Sequence, residues 1–211
     1  ASARQKSQAG NYFDNYINLR LDYDKRNQKY KTTDGFRSVY DLGLPVITEK
    51  NTITNTYNYK YFSELYENNI STFSFGLSAA TSLTNDDIKL SERLYVPQRR
   101  LRGFEKGKVG PKDGSDFIGG NYYALMNFTS TLPQILPNSQ NLEVVSFLDV
   151  ANLWGVDDNS LDDGSKIRRS IGIGFDWFTP IGPLNFSFSH PISKSATDLT
   201  ETFRFNLGTT F

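Results

Sequence analysis

The sequence predicts an all-β fold, a transmembrane antiparallel β-barrel, and three observations carry that expectation. The first is strict alternation: NYINLRLDYD, residues 15–24, sets Ile17, Leu19, Leu21 and Tyr23 against Asn18, Arg20, Asp22 and Asp24, the period of two that marks a strand with unlike faces. The second is asymmetry of the connections, which are short at one end of the strands and long at the other. The third is the terminal stretch ETFRFNLGTTF, in which Phe203, Phe205, Leu207 and Phe211 share one face while Arg204, Asn206 and Thr210 share the other. A free carboxylate after an apolar strand is costly in a core. At a membrane–water interface the terminal ring sits among interfacial aromatics and the carboxylate sits in water.

The alternation recurs along the chain. In STFSFGLSA, Phe73, Phe75, Leu77 and Ala79 oppose Thr72, Ser74, Gly76 and Ser78; further on, Ile171, Ile173, Phe175 and Trp177 oppose Ser170, Gly172, Gly174 and Asp176. By this criterion about nine strands are expected, over 14–24, 35–47, 53–66, 70–82, 119–131, 142–154, 167–178, 183–191 and 201–211. The connections KRNQKYKTTDG, YENN, LPQILPNSQ and FTPIGP gather at one rim. At the other lie VITEKN, a long excursion from Ser82 to Ile118, GVDDNSLDDGSK and PISKSATDLT. Period two alone leaves a sandwich, whose apolar face meets a second sheet, as open as a barrel, whose apolar face meets lipid; the connections and the terminal strand favour the barrel. No repeat or linker divides residues 1–211, which read as one domain.

Composition bounds the function. A 37% hydrophobic content and a negative mean hydropathy suit a soluble protein or a barrel in which lumen-facing polar residues dilute the lipid-facing ones. No apolar run is long enough for a spanning helix. The 23 basic and 23 acidic side chains cancel, so bulk charge gives no reason to expect a nucleic-acid partner. The absence of cysteine excludes a disulfide framework, a thiolate metal site and a cysteine nucleophile. The first residues, ASARQKSQAGN, lack the apolar core of a signal peptide, so an exported protein has lost its signal or begins further upstream.

Within the long excursion lies RLRGFEKGKVGPKDG, residues 100–114, a basic, glycine-rich stretch with a single aromatic. Leu101-Arg102-Gly103-Phe104 resembles the (Val/Ile)-Arg-Gly-(Phe/Tyr) motif of the BamA family of outer-membrane β-barrel assembly factors. A tripeptide such as RGF is weak alone, but neighbouring stretches add to it. Gly110-Pro111 stands where that family has a Gly-Pro, and Ile118-Gly119-Gly120-Asn121 opens the next strand. Phe147-Leu148-Asp149-Val150-Ala151-Asn152-Leu153-Trp154 is similar to the family's Phe-x-Asp-x-Gly-x-x-Trp strand. Arg169 to Trp177 with Pro180-Ile181-Gly182-Pro183-Leu184 resembles its penultimate hairpin, and Phe203 to Phe211 its closing strand. The likeness covers nearly the whole chain after about residue 15, the first hairpin included.

The resemblance implies a sixteen-stranded barrel preceded by periplasmic POTRA domains, of which these residues are the C-terminal part. About nine strands cannot close such a barrel, and an open edge in lipid leaves backbone groups unpaired. It also implies that the excursion at about 83–118 is an extracellular loop folded back into the lumen. There Arg102 would pair with an inward carboxylate, Gly103 would allow close approach to the wall at positive φ, and Phe104 would anchor the tip. The implied partner of Arg102 is Asp149. A second family carboxylate is replaced here by Asn127, which leaves the pairing weaker or differently supplied. Read without the family, Arg102 is a solvated loop charge.

Other candidate chemistry is thin. His190, the one histidine, would have to serve any Ser-His-Asp triad, yet it precedes Pro191 with no motif around it and reads as an interfacial side chain. Asp157, Asp158, Asp162 and Asp163 match no EF-hand spacing and read as a solvated loop. Asn-x-Ser/Thr matches at Asn69, Asn127 and Asn185 fall in or beside strands and are set aside. No metal, cofactor or bond chemistry is expected.

The family implies a function as core of the BAM complex in the bacterial outer membrane, folding and inserting β-barrel clients by thinning the bilayer and offering a strand edge. Its partners would be unfolded outer-membrane barrels, accessory outer-membrane lipoproteins and the lipid bilayer. The closing strand would form the weak side of a lateral seam, with Gly208 either a point of bending or clearance for a neighbouring aromatic. A related exporter, a two-partner secretion transporter or the translocation-and-assembly paralogue, is the alternative. A passive porin or barrel enzyme is disfavoured because a fixed basic loop plugs the lumen. Several POTRA modules upstream would mark the assembly factor, two a secretion transporter and none a porin.

Overall fold

A computed structural model describes residues 6–66, 69–84, 86–132, 141–161, 164, 166–179 and 182–207. The elements are β1 (Asn15–Asp24), β2 (Gly35–Ile47), β3 (Thr52–Tyr66), β4 (Asn69–Ser82), β5 (Lys112–Asp113), β6 (Asp116–Phe117), β7 (Tyr122–Thr131), β8 (Leu142–Trp154), β9 (Arg168–Thr179), β10 (Gly182–Ser193) and β11 (Phe203–Leu207). Nine of them form one antiparallel meander in the order β1-β2-β3-β4-β7-β8-β9-β10-β11, and β5 and β6 make a separate small hairpin. β1 and β11 are the two edges of the sheet, which is open among the described residues.

The expected strands match these within a few residues, with an instructive difference at β7. Alternation predicts a start at residue 119, but Gly119 turns at φ +70° and Gly120 exchanges backbone hydrogen bonds with Leu94 of the loop, so the sheet takes up the chain only at Tyr122. The closing strand, expected over 201–211, is described over Phe203–Leu207. Gly208 and Phe211 lie outside the described residues, as do Asp162 and Asp163.

Register fixes which side chains share a face. Direct partners such as Asn127 and Asp149 on β7 and β8, and Asp149 and Ser170 on β8 and β9, run in one row. The opposite face carries Ile17, Leu19, Leu21, Leu77, Met126, Leu148, Ile171, Ile173, Trp177, Phe203, Phe205 and Leu207, all exposed. A sandwich would have sealed that face against a second sheet; here it is bare, Leu21 being 71% exposed. The apolar core sits on the other side. Val96, Leu101, Phe104 and Val109 of the loop pack on Tyr123 and Leu125 of β7 and on Ala151 and Leu153 of β8, each large side chain buried there contributing about 1.5–3 kcal/mol. The core is therefore a loop against a wall.

A bare apolar band is stable only in hydrocarbon, so charge placed there is penalised. Ile173→Arg, mid-strand on β9, is expected to destabilise the barrel by about 2–4 kcal/mol, the loss found for arginine near the bilayer midplane. Equilibrium unfolding in phosphatidylcholine vesicles measures it, and an unchanged unfolding midpoint would contradict a lipid-facing position.

Candidate functional site

The site grows from the loop of residues 83–121 and the inner row of β7, β8 and β9. One 3-10 turn, Gln98–Arg100, brings the chain down onto the wall, and Arg102 enters a fully enclosed position. Its Nε donates to Asp149 Oδ2 at 2.8 Å, its Nη2 to Asp149 Oδ1 at 2.7 Å, and its own backbone N–H to Asp149 Oδ2 at 3.0 Å. The paired side chains are 3% and 0% exposed. Fork and carboxylate thus meet in the bidentate geometry that gives such pairs their strength and direction. The guanidinium also lies 3.5 Å from the ring centroid of Phe147, a buried cation–π contact.

Local sequence makes the room. A Cβ at Gly172 on β9 would come within 2.4 Å of Phe147 Cζ, so glycine in the inner row lets the Phe147 ring lie beneath the guanidinium. Gly103 stands at φ +88°, with Ser189 and Ser170 Cβ atoms 3.1 and 3.3 Å from any Cβ it might carry. Both the backbone conformation and the close approach to the wall demand glycine there. Ser170 Oγ donates to the Arg102 carbonyl, and Phe104, 2% exposed, sits in the core.

Asn127 does not pair with Arg102. It accepts from Arg100 Nε at 2.6 Å, and its Nδ2 donates to the Arg100 carbonyl and to Asp149 Oδ1, both at 2.8 Å. The amide therefore holds the carboxylate in place and seats a second arginine beside the first. A carboxylate at this position would add negative charge next to Asp149; the amide supplies a donor instead. Burial pulls the Arg100 guanidinium down from its ordinary value.

Two further ion pairs, one of them fully buried, are not singled out by the sequence. Arg168, at the start of β9, donates from Nε and Nη2 to Asp198 at 3.0 and 3.1 Å, with side chains 1% and 0% exposed. Asp198 also accepts from the backbone N–H groups of Gly110 and Ser195. Arg93 pairs with Asp157 at 2.6 Å. Asp157 is exposed, as expected of the acidic loop, and it also accepts from Arg93, Asn121 Nδ2 and the Ile88 N–H. Asp158 accepts from the N–H and hydroxyl of Ser160. Parity was the available signal for Arg168: it falls in the inner row with Ser170, Gly172 and Gly174.

The remaining candidates separate. His190 is exposed on β10, directly opposite Ile171. Asn127 and Asn185 are buried at the inner face, and Asn69 is buried in the other row, bonded to Ser71 and Ser130. The loop is held at its other end too: Lys89 pairs with Asp14 and Glu49, and Glu92 accepts from Tyr16 and Thr52 hydroxyls.

The Omp85 superfamily domain matches residues 1–211. The chain belongs to the Omp85 superfamily. As such it is a bacterial outer-membrane protein. It is 30% identical over 128 residues to the outer membrane protein assembly factor BamA of Neorickettsia risticii, covering 59% of this chain and 17% of that one. It is 22% identical to the BamA of Nitratidesulfovibrio vulgaris over 98% of this chain and 27% of that one. The crystal structure of BamA from Haemophilus ducreyi lacking POTRA domains 1–3 superposes with a TM-score of 0.81 at 23% identity, over 90% of this chain and 41% of the other. The Omp85 domain described here thus spans well under half of the relatives it matches, and its fold is that of part of their barrel.

Proposed function

We propose that this Omp85 domain is the C-terminal part of an assembly factor that folds and inserts β-barrel proteins into the outer membrane, with unfolded barrels as clients, outer-membrane lipoproteins as accessories and the bilayer as medium. The single observation that supports it is the loop held against the buried face of the sheet by Arg102 and Asp149, with side chains 3% and 0% exposed, in a chain similar over most of its length to a named assembly factor. Such a protein performs no bond chemistry. It lowers an insertion barrier by presenting a strand edge to which a client strand adds. β11, an edge of the described sheet whose outer row is Phe203, Phe205 and Leu207, is the strand placed to do so.

The test is a lock. Cysteines joining residues 204–210 to the first strand of the parent barrel are expected to stop client insertion under oxidising conditions and to restore it on reduction. Insertion at the unlocked rate in the oxidised barrel would overturn the lateral-opening reading. Continued export of a passenger with no effect on barrel insertion would favour the exporter.

A further inference from the structure

We infer that Arg204 joins the tip of the lumen loop to the final strand so that the two move as one body; its meaning for client insertion rests on the function proposed above, its mechanics on geometry alone. The segment leading into β11 pairs with the loop tip as a short antiparallel ribbon. Glu105 N–H donates to Leu199 O at 3.0 Å, Leu199 N–H to Lys108 O at 3.0 Å, and Glu201 N–H to Gly103 O at 3.1 Å, with Phe104 and Thr200 directly opposite. Arg204 then points inward from β11 itself. Its Nη2 donates to the Phe104 carbonyl at 2.6 Å, its Nη1 to the Gln98 carbonyl, and it pairs with Glu201.

Those acceptors bracket Arg102. Gln98 and Phe104 lie on either side of it in sequence, so one guanidinium spans the loop turn that Asp149 anchors. A planar fork suits two divergent carbonyls in a way an ammonium does not. The Arg204 side chain is 4% exposed, so leaving the two loop carbonyls would strand buried N–H donors, with Glu201 alone left to balance the charge. β11 is bonded to the rest of the sheet on one side only, pairing with β10 from Phe203 to Leu207 among the described residues. The line of force is Asp149 to Arg102, through the loop backbone to Arg204, and so to the edge strand. Releasing the loop should free the strand, and moving the strand should drag the loop.

Amide hydrogen exchange on the full parent protein in phosphatidylcholine vesicles decides this without any client. Arg204→Gln is expected to speed exchange at least about tenfold, the effect of losing one charge-assisted hydrogen bond, in residues 103–108 and 203–207 together. Asp149→Asn, which touches only the loop anchor, is expected to do the same in 203–207. Phe205→Ala, which weakens the outer row of β11 and leaves Arg204 in place, is expected to leave 103–108 protected. Where Arg204→Gln does not insert, Arg204→Lys, which keeps the charge and loses the fork, decides in the same direction. Loop amides as protected in the Arg204 variant as in the parent, a β11 indifferent to Asp149→Asn, or a loop equally loosened by Phe205→Ala would each overturn the inference. Client insertion rates measured on the same variants test the proposed function separately.

Discussion

Asp149→Ala is expected to destabilise the barrel by about 3–5 kcal/mol, the range for breaking a buried ion pair by removing one partner. The size follows from what the carboxylate holds. It accepts from Arg102 Nε, Nη2 and backbone N–H and from Asn127 Nδ2, and it is wholly enclosed. Alanine leaves a guanidinium in a site too dry to solvate it, with Phe147 and the Thr129 hydroxyl as poor replacements. Arg102→Ala reverses the fault, leaving the carboxylate with Asn127 as its neutral donor. Both substitutions should detach the loop from the wall and impair outer-membrane assembly in the parent cell. The check is the denaturant midpoint of the purified barrel together with outer-membrane barrel levels; normal values for both variants would remove the pair from the working parts of the protein.

The second large effect is expected at the pair sequence reading did not find. Asp198→Ala deprives Arg168 of its carboxylate and leaves the N–H groups of Gly110 and Ser195 without their acceptor. The loss should be near the lower end of about 3–5 kcal/mol, because Arg168 keeps the Asn152 Oδ1 and the Lys166 carbonyl. Asp198→Asn should be milder, since an amide oxygen still accepts. Limited proteolysis of the intact parent barrel reports it: cleavage between residues 105 and 114 is expected to rise in the alanine variant, and a loop as resistant as the parent's would show that Asp198 does not fasten it.

The contrast between these two pairs shows what was legible. Strand limits and faces follow from alternation, a local property, and they emerge within a few residues at every long strand. Arg102 and Asp149 were reachable because each sits in a recognisable stretch. Arg168 carries half of the needed signal, its parity, but Asp198 lies in a connection with no period to set its direction. Only the loop coming to rest beside Gly110 makes a buried acceptor of it. Asp157 is exposed as its acidic turn suggests, and only its partners Arg93, Asn121 and Ile88, distant in sequence, lie beyond the reach of local pattern. At Asn127 the sequence leaves open whether the pairing is weaker or differently supplied, and the geometry gives the second: the amide is a clamp on Asp149 and Arg100.

A core made by a loop lying on a wall imposes an order of events. In a sandwich the strands and the core form together, each sheet covering the other. Here Leu101, Phe104 and Val109 have nothing to cover until β7 and β8 are already paired, and the loop must close a long span to reach them. Tyr123, Leu125 and Leu153 consequently face water through the interval in which the outer surface has already entered lipid. Newly inserted chains should pass through a stage in which β7 and β8 are paired and the loop is still undocked, with the loop-on-wall core formed last.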